Sequence, residues 1–226
     1  SEILGSSAYI PYFYVISNDK DLTFKPRIFG DNKFSIQSEY RQVTKNSKNI
    51  FDFSLTSGHK SNTSDSKDTR THFFSNSKID LNFDNFDYSN LEIQLQKTSN
   101  DTYLKLFKLE SPLFGSNKIS TDVSVLDTFL TLTTNKDDLS FDTTLKIYEK
   151  LGSANSDRYE FIFPSYNLSK ILNTKDNLKG VLSLNSSGSQ HVNNTNVYET
   201  QIINDLSYQS KDKFLNNGII NKFNVL

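Results

Sequence analysis

The stretch LSFDTTLKI at residues 139–147 alternates apolar and polar side chains almost without a break. Shorter stretches repeat this rhythm, including FDFSLT at residues 51–56 and LEIQLQ at residues 91–96. Successive side chains of a β-strand point to opposite faces of a sheet, whereas a helix repeats every 3.6 residues. The sequence therefore predicts strands that have one apolar face and one polar face.

This rhythm recurs between polar loops along the whole chain, which predicts an all-β antiparallel meander of about twelve strands. The predicted strands lie near residues 7–16, 21–29, 33–45, 49–58, 70–82, 90–99, 123–134, 138–150, 158–171, 178–189, 196–209 and 217–226. Short turns rich in Asn, Asp and Ser join several of them. Longer polar loops are predicted at residues 59–68, 101–121, 152–157 and 190–195.

Long strands with one polar face, joined by tight turns on one side and longer loops on the other, are typical of outer-membrane barrels. We therefore interpret residues 1–226 as the N-terminal half of a transmembrane β-barrel domain, excised from a longer protein. We expect the closing strands to lie outside these residues.

Composition narrows the class of protein. Hydrophobic residues make up 35% of the 226 residues, and the mean hydropathy is -0.54, which suffices for one face of a sheet but is sparse for two packed layers. The 25 Lys and Arg residues nearly balance the 26 Asp and Glu residues, which argues against nucleic-acid binding. No apolar run approaches the roughly 18 residues of a transmembrane helix. The absence of cysteine excludes disulfides and thiolate metal sites within these residues.

Candidate catalytic residues are few. His59, His72 and His191 lie in or beside different polar stretches with no metal-ligand spacing, and the carboxylates of Asp137 and Asp138 lie at a turn. The sequence contains no glycine-rich phosphate loop and no nucleophile elbow. We predict that the protein is not an enzyme and that it binds no metal or cofactor.

Pro11 and Pro26 each interrupt one of the first two predicted strands. Proline has no backbone N–H and removes a hydrogen bond from the ladder, so it belongs at a sheet edge or a bulge. The two prolines could protect an edge against aggregation, or they could weaken a seam that opens. Pro164 lies near the middle of a later strand, where it predicts a bulge.

The first predicted strands and the turn between the first two contain, in order, IPYFYV at residues 10–15, Asn18, DLTFKPR at residues 21–27 and QSEYR at residues 37–41. Together these residues resemble the start of the barrel in the LptD family of LPS-assembly proteins. The segment SNDTYL at residues 99–104 resembles the same family, especially its alphaproteobacterial members. This resemblance implies a large barrel in the outer membrane of Gram-negative bacteria. We expect the family's N-terminal jelly-roll domain, and the cysteines that link the two domains in some members, to be absent from this piece.

The resemblance also implies a function: transport of lipopolysaccharide and its insertion into the outer leaflet through a barrel lumen and a lateral gate. Pro11 and Pro26 match the prolines of the lateral gate, and the resemblance is consistent with a lumen-facing position for Lys25, Arg27, Glu39 and Arg41. The partners implied are lipopolysaccharide, an LptE-like plug lipoprotein, periplasmic LPS bridge proteins and outer-membrane lipid.

Two other functions fit the same alternation. A porin or receptor barrel of the outer membrane shares the pattern but needs no prolines in its opening strands. A soluble β-sandwich that binds carbohydrate at the cell surface would bury apolar faces of two sheets against each other.

Overall fold

The computed structural model describes residues 4–30, 33–61, 64–112, 118–172, 180–193, 197–214, 220–222 and 224–225, with the backbone alone described at residues 58–61, 64–67, 214 and 221. Nearly all of the regular structure in these residues is β-strand. The strands are β1 (Ser7–Tyr9), β2 (Tyr12–Ser17), β3 (Lys20–Phe29), β4 (Lys33–Val43), β5 (Ser47–Ser61), β6 (Ser64–Asp80), β7 (Tyr88–Thr98), β8 (Ser111–Pro112), β9 (Lys118–Ile119), β10 (Val125–Lys136), β11 (Leu139–Lys150), β12 (Tyr159–Leu172), β13 (Gly180–Asn193), β14 (Tyr198–Ser210), β15 (Lys213–Phe214), β16 (Ile220–Asn221) and β17 (Asn224–Val225). A helix α1 (Tyr103–Phe107) and a 3-10 helix (Asn155–Asp157) accompany them.

Thirteen strands form one antiparallel sheet in which β3 to β7 and then β10 to β14 pair in chain order. β1 and β2 both pair with β3, and β17 pairs with the end of β14. β8 with β9, and β15 with β16, form two separate short ladders. The predicted all-β antiparallel meander is confirmed, and the architecture is barrel-like in its order of strands.

The structure differs from the predicted strands at several points. Residues 190–193, predicted as part of a loop, belong to β13, which continues to Asn193. The first predicted strand, at residues 7–16, is interrupted between β1 and β2. The stretch predicted as a polar loop at residues 59–68 lies largely in two strands, because β5 ends only at Ser61 and β6 begins at Ser64. The last predicted strand, at residues 217–226, is not continuous in the described residues, because β16 turns back onto β15 while β17 pairs with β14. Polar composition predicted a loop at 59–68, yet hydrogen bonding between the two backbones needs no apolar side chain.

Two faces of the sheet differ in chemistry, as the alternation predicts. On the apolar face, Phe53 lies opposite Phe73, and Leu130 lies opposite Ile93 and Leu145. Phe53, Phe73, Leu130 and Leu145 are 37–43% exposed, so no second layer covers this face along the middle of the described sheet. The apolar face is defined here by Ile36, Phe53, Phe73, Ile93, Leu130 and Leu145, and the polar face by Lys25, Arg27, Ser35, Gln37, Glu39, Asp52, Ser54, Thr56, His72, Gln94 and Gln96.

The compact apolar core lies against the polar face, where the segment that connects β7 to β10 folds back onto the sheet. We call residues 99–112 and 118–124 the inner segment. Its buried side chains pack with Phe29, Phe74 and Leu126 of the sheet; the buried members from the segment are Tyr103, Leu104, Phe107, Leu109 and Ile119. The inner segment therefore covers the polar face over the part of β4 to β6 that lies beneath it.

The predicted bulge at Pro164 is confirmed. The register of β12 against β13 shifts between Ile162 and Ser165, and β11 shifts against β12 between Thr144 and Lys146. The Phe163–Pro164 peptide bond is cis. Within the described residues, neither helical segment is long and apolar enough to span a bilayer.

Candidate functional site

The first ladder of the sheet breaks at the two prolines. β1 and β2 are halves of one strand along β3, separated by Ile10 and Pro11. Continuing the register across this gap sets Ile10 opposite Pro26. The N–H of Ile10 donates to the carbonyl of Pro26 at 3.4 Å, but Pro26 has no N–H with which to return the bond. One ladder bond is therefore missing at the point where the prolines meet.

The two prolines remove donors on opposite sides of the first strand. In an antiparallel strand, successive backbone N–H groups point alternately to one neighbour and to the other. Since the N–H of Ile10 points to β3, the nitrogen of Pro11 lies on the far edge, where the described sheet has no further strand. Pro26 thus weakens the first ladder, and Pro11 removes a donor that another strand would use.

The four charged residues singled out from the sequence all lie on the polar face of β3 and β4. Lys25 donates to Glu39 at 3.1 Å, and Arg41 lies 3.6 Å from a second oxygen of Glu39. Arg41 also donates to Asp21 at 2.9 Å. The structure brings Lys25, Glu39 and Arg41 together, and a lumen-facing role for the four residues stays a prediction.

Arg27 differs from the other three residues, because it has no carboxylate partner among the described residues. Its Nη1 donates to the carbonyl oxygen of Phe107 at 3.0 Å, which ties β3 to the end of α1. The guanidinium carbon lies 4.9 Å from the centroid of the Tyr9 ring, a cation–π distance. Its Nε is buried and has no hydrogen-bond partner within the part of the chain that the structure describes.

A buried polar network joins β5, β6 and α1. Ser54 Oγ lies 2.5 Å from Nδ1 of His72, and Nε2 of His72 lies 3.1 Å from Oδ2 of Asp52. The Tyr103 hydroxyl lies 2.8 Å from both Ser54 and Thr56. Asp52, Ser54 and His72 are each at most 1% exposed. Buried polar groups of this kind are costly unless they are paired, and here each has a partner.

Ser54, His72 and Asp52 have the side-chain types of a hydrolase triad, so their accessibility decides what they can do. The Ser54 hydroxyl is fully buried and already hydrogen-bonded to both His72 and Tyr103. It is not placed to meet a substrate. The network instead fixes the inner segment to the sheet, since Tyr103 enters it from α1.

A second contact fixes the inner segment further along β4. Gln37 Nε2 donates to both carboxylate oxygens of Asp52, at 3.1 and 2.9 Å, and to the carbonyl oxygen of Glu110 at 2.9 Å. This amide therefore connects the buried network to the chain that follows α1. Together with Arg27 and Tyr103, it holds the inner segment at three points on the polar face.

The start of the inner segment is held by an ion-pair network beside the 3-10 helix. Arg158 donates from its two terminal nitrogens to the two oxygens of Asp101, at 3.0 and 2.6 Å. It also donates to Glu149, which pairs with Lys97 at 2.7 Å. The Arg158 guanidinium holds the pKa of the Asp101 carboxyl below its ordinary value, and the two carboxylates raise the pKa of Arg158.

A cavity of about 170 Å³ lies between the first strands and the inner segment. It is open on the side of the first strand, because Tyr9 is half exposed. The cavity is lined by Tyr9, Lys25, Arg27, Ser35, Gln37, Lys108, Leu109 and Glu110. The break at Ile10 and Pro26 is next to it, since Tyr9 and Arg27 are the preceding pair in the register.

Sequence reasoning missed Asp52, Tyr103 and Lys108, and it considered His72 only as a candidate for metal binding or catalysis. The alternation in FDFSLT shows that Asp52 and Ser54 share a face, but no local signal connects them to a tyrosine 49 residues beyond Ser54. Two apolar residues in the middle of a polar loop, Leu104 and Phe107, were the available sign that this loop packs. No group of side chains suited to a metal ion occurs within the described part of the chain.

No family model matches the chain, and no curated protein matches it.

Proposed function

We propose that this chain is the opening part of an LptD-like barrel, which transports lipopolysaccharide through its lumen and passes the acyl chains through a seam at the first strand. The observation that carries the proposal is the break in the first ladder, where Pro26 removes a bond between neighbouring strands and Pro11 removes a donor on the free edge. A seam that opens repeatedly should have few backbone hydrogen bonds between its two strands.

The exposed apolar face supports a membrane location. Exposed rows of Phe and Leu over several neighbouring strands are unfavourable in water and favourable against acyl chains. A soluble sandwich would cover these rows with a second sheet. The proposed location is the outer membrane.

The polar face supports passage of a hydrated sugar chain. On β11 to β14 this face carries small polar side chains and forms an open groove of about 250 Å³. Hydroxyl, amide and carboxylate groups along it include Ser140, Asp142, Asn167, Ser169, Asn185, Ser187 and Asp205. Such groups exchange hydrogen bonds with sugar hydroxyls and water.

The test replaces Pro26 with Val in the full-length protein. Val restores the missing N–H and favours extended backbone, so the first ladder gains a bond worth about 1 kcal/mol. We expect slower appearance of labelled lipopolysaccharide at the cell surface when this variant is the sole copy. Pro11→Val should act in the same direction by restoring the edge donor.

Thr23→Val is the matched control, because it places Val in the same strand without changing a backbone donor. Delivery by this control should equal that of the wild type. Normal delivery by both proline variants, with normal amounts of folded protein, would reject the seam.

A further inference from the structure

We infer that the cavity beside the proline break binds the anionic group, a phosphate or carboxylate, of an amphiphile that crosses the first strand. This inference rests on the proposed function and specifies the chemistry that the seam recognises. It depends on the partly buried guanidinium of Arg27, on the Lys108 ammonium, which has no ion-pair partner among the described residues, and on the apolar edge next to them.

Arg27 presents donors that nothing in the described residues uses. One terminal nitrogen is bound to the Phe107 carbonyl, while the buried Nε has no partner. A buried N–H without a partner is unfavourable, and a guanidinium binds planar or tetrahedral anions through two parallel N–H groups. Arg27 lines the cavity, so an anion there would bind the guanidinium through its second terminal nitrogen, which makes no hydrogen bond among the described residues.

The charges around the cavity leave a positive excess. Lys25 is paired with Glu39, and the Glu110 side chain is paired with Lys118. Arg27 and Lys108 have no ion-pair partner among the described residues. Lys108 adopts the left-handed conformation that ends α1, with φ of 51°, and this turn brings residues 108–110 to the cavity.

The size and surroundings of the cavity indicate what part of a ligand it takes. Its volume of about 170 Å³ corresponds to roughly six water molecules, enough for one anionic group but not for a lipid. Ile10 and Tyr12 on the adjoining strand are largely exposed, 73% and 62%. An acidic group in the cavity would therefore leave an attached apolar chain beside the open edge.

The experiment measures binding by the full-length protein in detergent micelles. The probes are lipopolysaccharide with its acidic groups intact, the same preparation after removal of its phosphates and reduction of its carboxylates, and inorganic phosphate as a competitor. We expect Arg27→Gln to weaken binding of the acidic probe about tenfold, the typical effect of losing a charge-assisted hydrogen bond. Lys108→Gln should weaken it by a smaller factor.

Lys105→Gln is the matched control, since it removes the same charge three residues away, at a side chain that is mostly exposed and paired with Asp122. Arg27→Lys should restore part of the affinity. Displacement of the acidic probe by millimolar phosphate supports a site that binds the anion alone. If only lipid-borne anions displace the probe, the site binds a lipid headgroup. Equal binding of the acidic and neutral probes by the wild type would overturn the inference, as would wild-type affinity in both Gln variants.

The comparison of probes on the wild type keeps the inference testable even where Arg27→Gln does not fold. If the acidic and neutral probes bind equally but Pro26→Val still slows delivery, the anion site is rejected and the proposed function stands. If the acidic probe binds selectively but the proline variants deliver lipopolysaccharide normally, the seam is rejected and the anion site stands.

Discussion

The Tyr103 hydroxyl shows how one atom determines the position of a segment. It contacts Ser54 and Thr56 on neighbouring positions of the same face of β5, and Thr56 in turn donates to Ser35 on β4. A phenylalanine would fill the same space but would remove one hydrogen-bond partner from each of these two hydroxyls beneath α1. Hydrogen bonding thus selects the register of α1 on the sheet, while apolar packing alone would permit neighbouring positions.

Asp101 makes the attachment of the inner segment depend on pH. Arg158 lowers the folded-state pKa of Asp101 below the ordinary value of 3.8. Because the folded-state pKa is the lower one, this carboxylate stabilises the folded chain above about pH 3.8, and the contribution declines as the pH falls through the folded-state pKa. We expect hydrogen-exchange protection at residues 99–112, corrected for intrinsic rates, to fall as the pH is lowered below about 3.8.

Asp101→Asn should show reduced protection already at pH 7 and a flatter pH profile. Asp122→Asn serves as the control, because its ion pair with Lys105 is highly exposed and contributes little. A wild-type profile in Asp101→Asn would contradict the anchoring role of this carboxylate.

At the scale of elements, the inner segment is held chiefly by the aromatic side of α1. Phe107 is 1% exposed and packs edge-on against Phe29, with ring centroids 5.8 Å apart. Phe107→Ala leaves a cavity and should weaken the attachment by about 3–5 kcal/mol. If the chain forms the proposed barrel, ion conductance of the full-length protein in planar bilayers should increase, because the polar face of β4 to β6 becomes accessible to water.

Phe83→Ala is the corresponding control, since Phe83 is exposed in the connection between β6 and β7. Its conductance should match the wild type. Unchanged conductance in Phe107→Ala, together with unchanged proteolysis of residues 99–124, would show that the inner segment does not depend on this contact.

Strands were more predictable than the segments between them, and the reason is physical. Alternation in residues 139–147 specifies β11 locally, because the polarity of each side chain indicates the face of the sheet on which it lies. The inner segment has no such period, and its short helix of five residues depends on contacts with Phe29 and Phe74 far along the chain. Isolated helices of this length are not stable in water.

The cavity near Arg27 was only half predictable. The sequence placed Lys25 and Arg27 on one face, since they are two residues apart in a strand. It could not place Lys108, which reaches the same cavity because the chain after α1 returns to β4 through the contact of Gln37 with the Glu110 carbonyl. Contacts between residues 73 positions apart leave no pattern in a single sequence.

For the whole molecule, the proposed membrane location depends on whether the apolar face contacts acyl chains or water. Leu130 lies near the middle of β10 and is exposed on that face. If acyl chains surround this face, Leu130→Lys should destabilise the full-length protein in lipid vesicles by about 2–4 kcal/mol. Against water the same change at an exposed position should cost less than about 0.5 kcal/mol.

Thr133→Lys provides the comparison on the polar face of the same strand, opposite Asp142, where a lysine meets a carboxylate. We expect this variant to unfold in urea at the same concentration as the wild type. Equal stability of the two lysine variants in vesicles would show that the apolar face does not contact lipid.

The sequence by itself determined the strands, their two faces and the positions of the prolines, because a period of two residues and the missing N–H of proline are local properties. Tertiary structure decided that the two prolines meet at one break, that a polar loop carries an apolar helix onto the polar face, and that Asp52, His72 and Tyr103 share a buried network. These features depend on register between strands and on contacts across dozens of residues, where packing and hydrogen bonding select one arrangement among many that the local pattern permits.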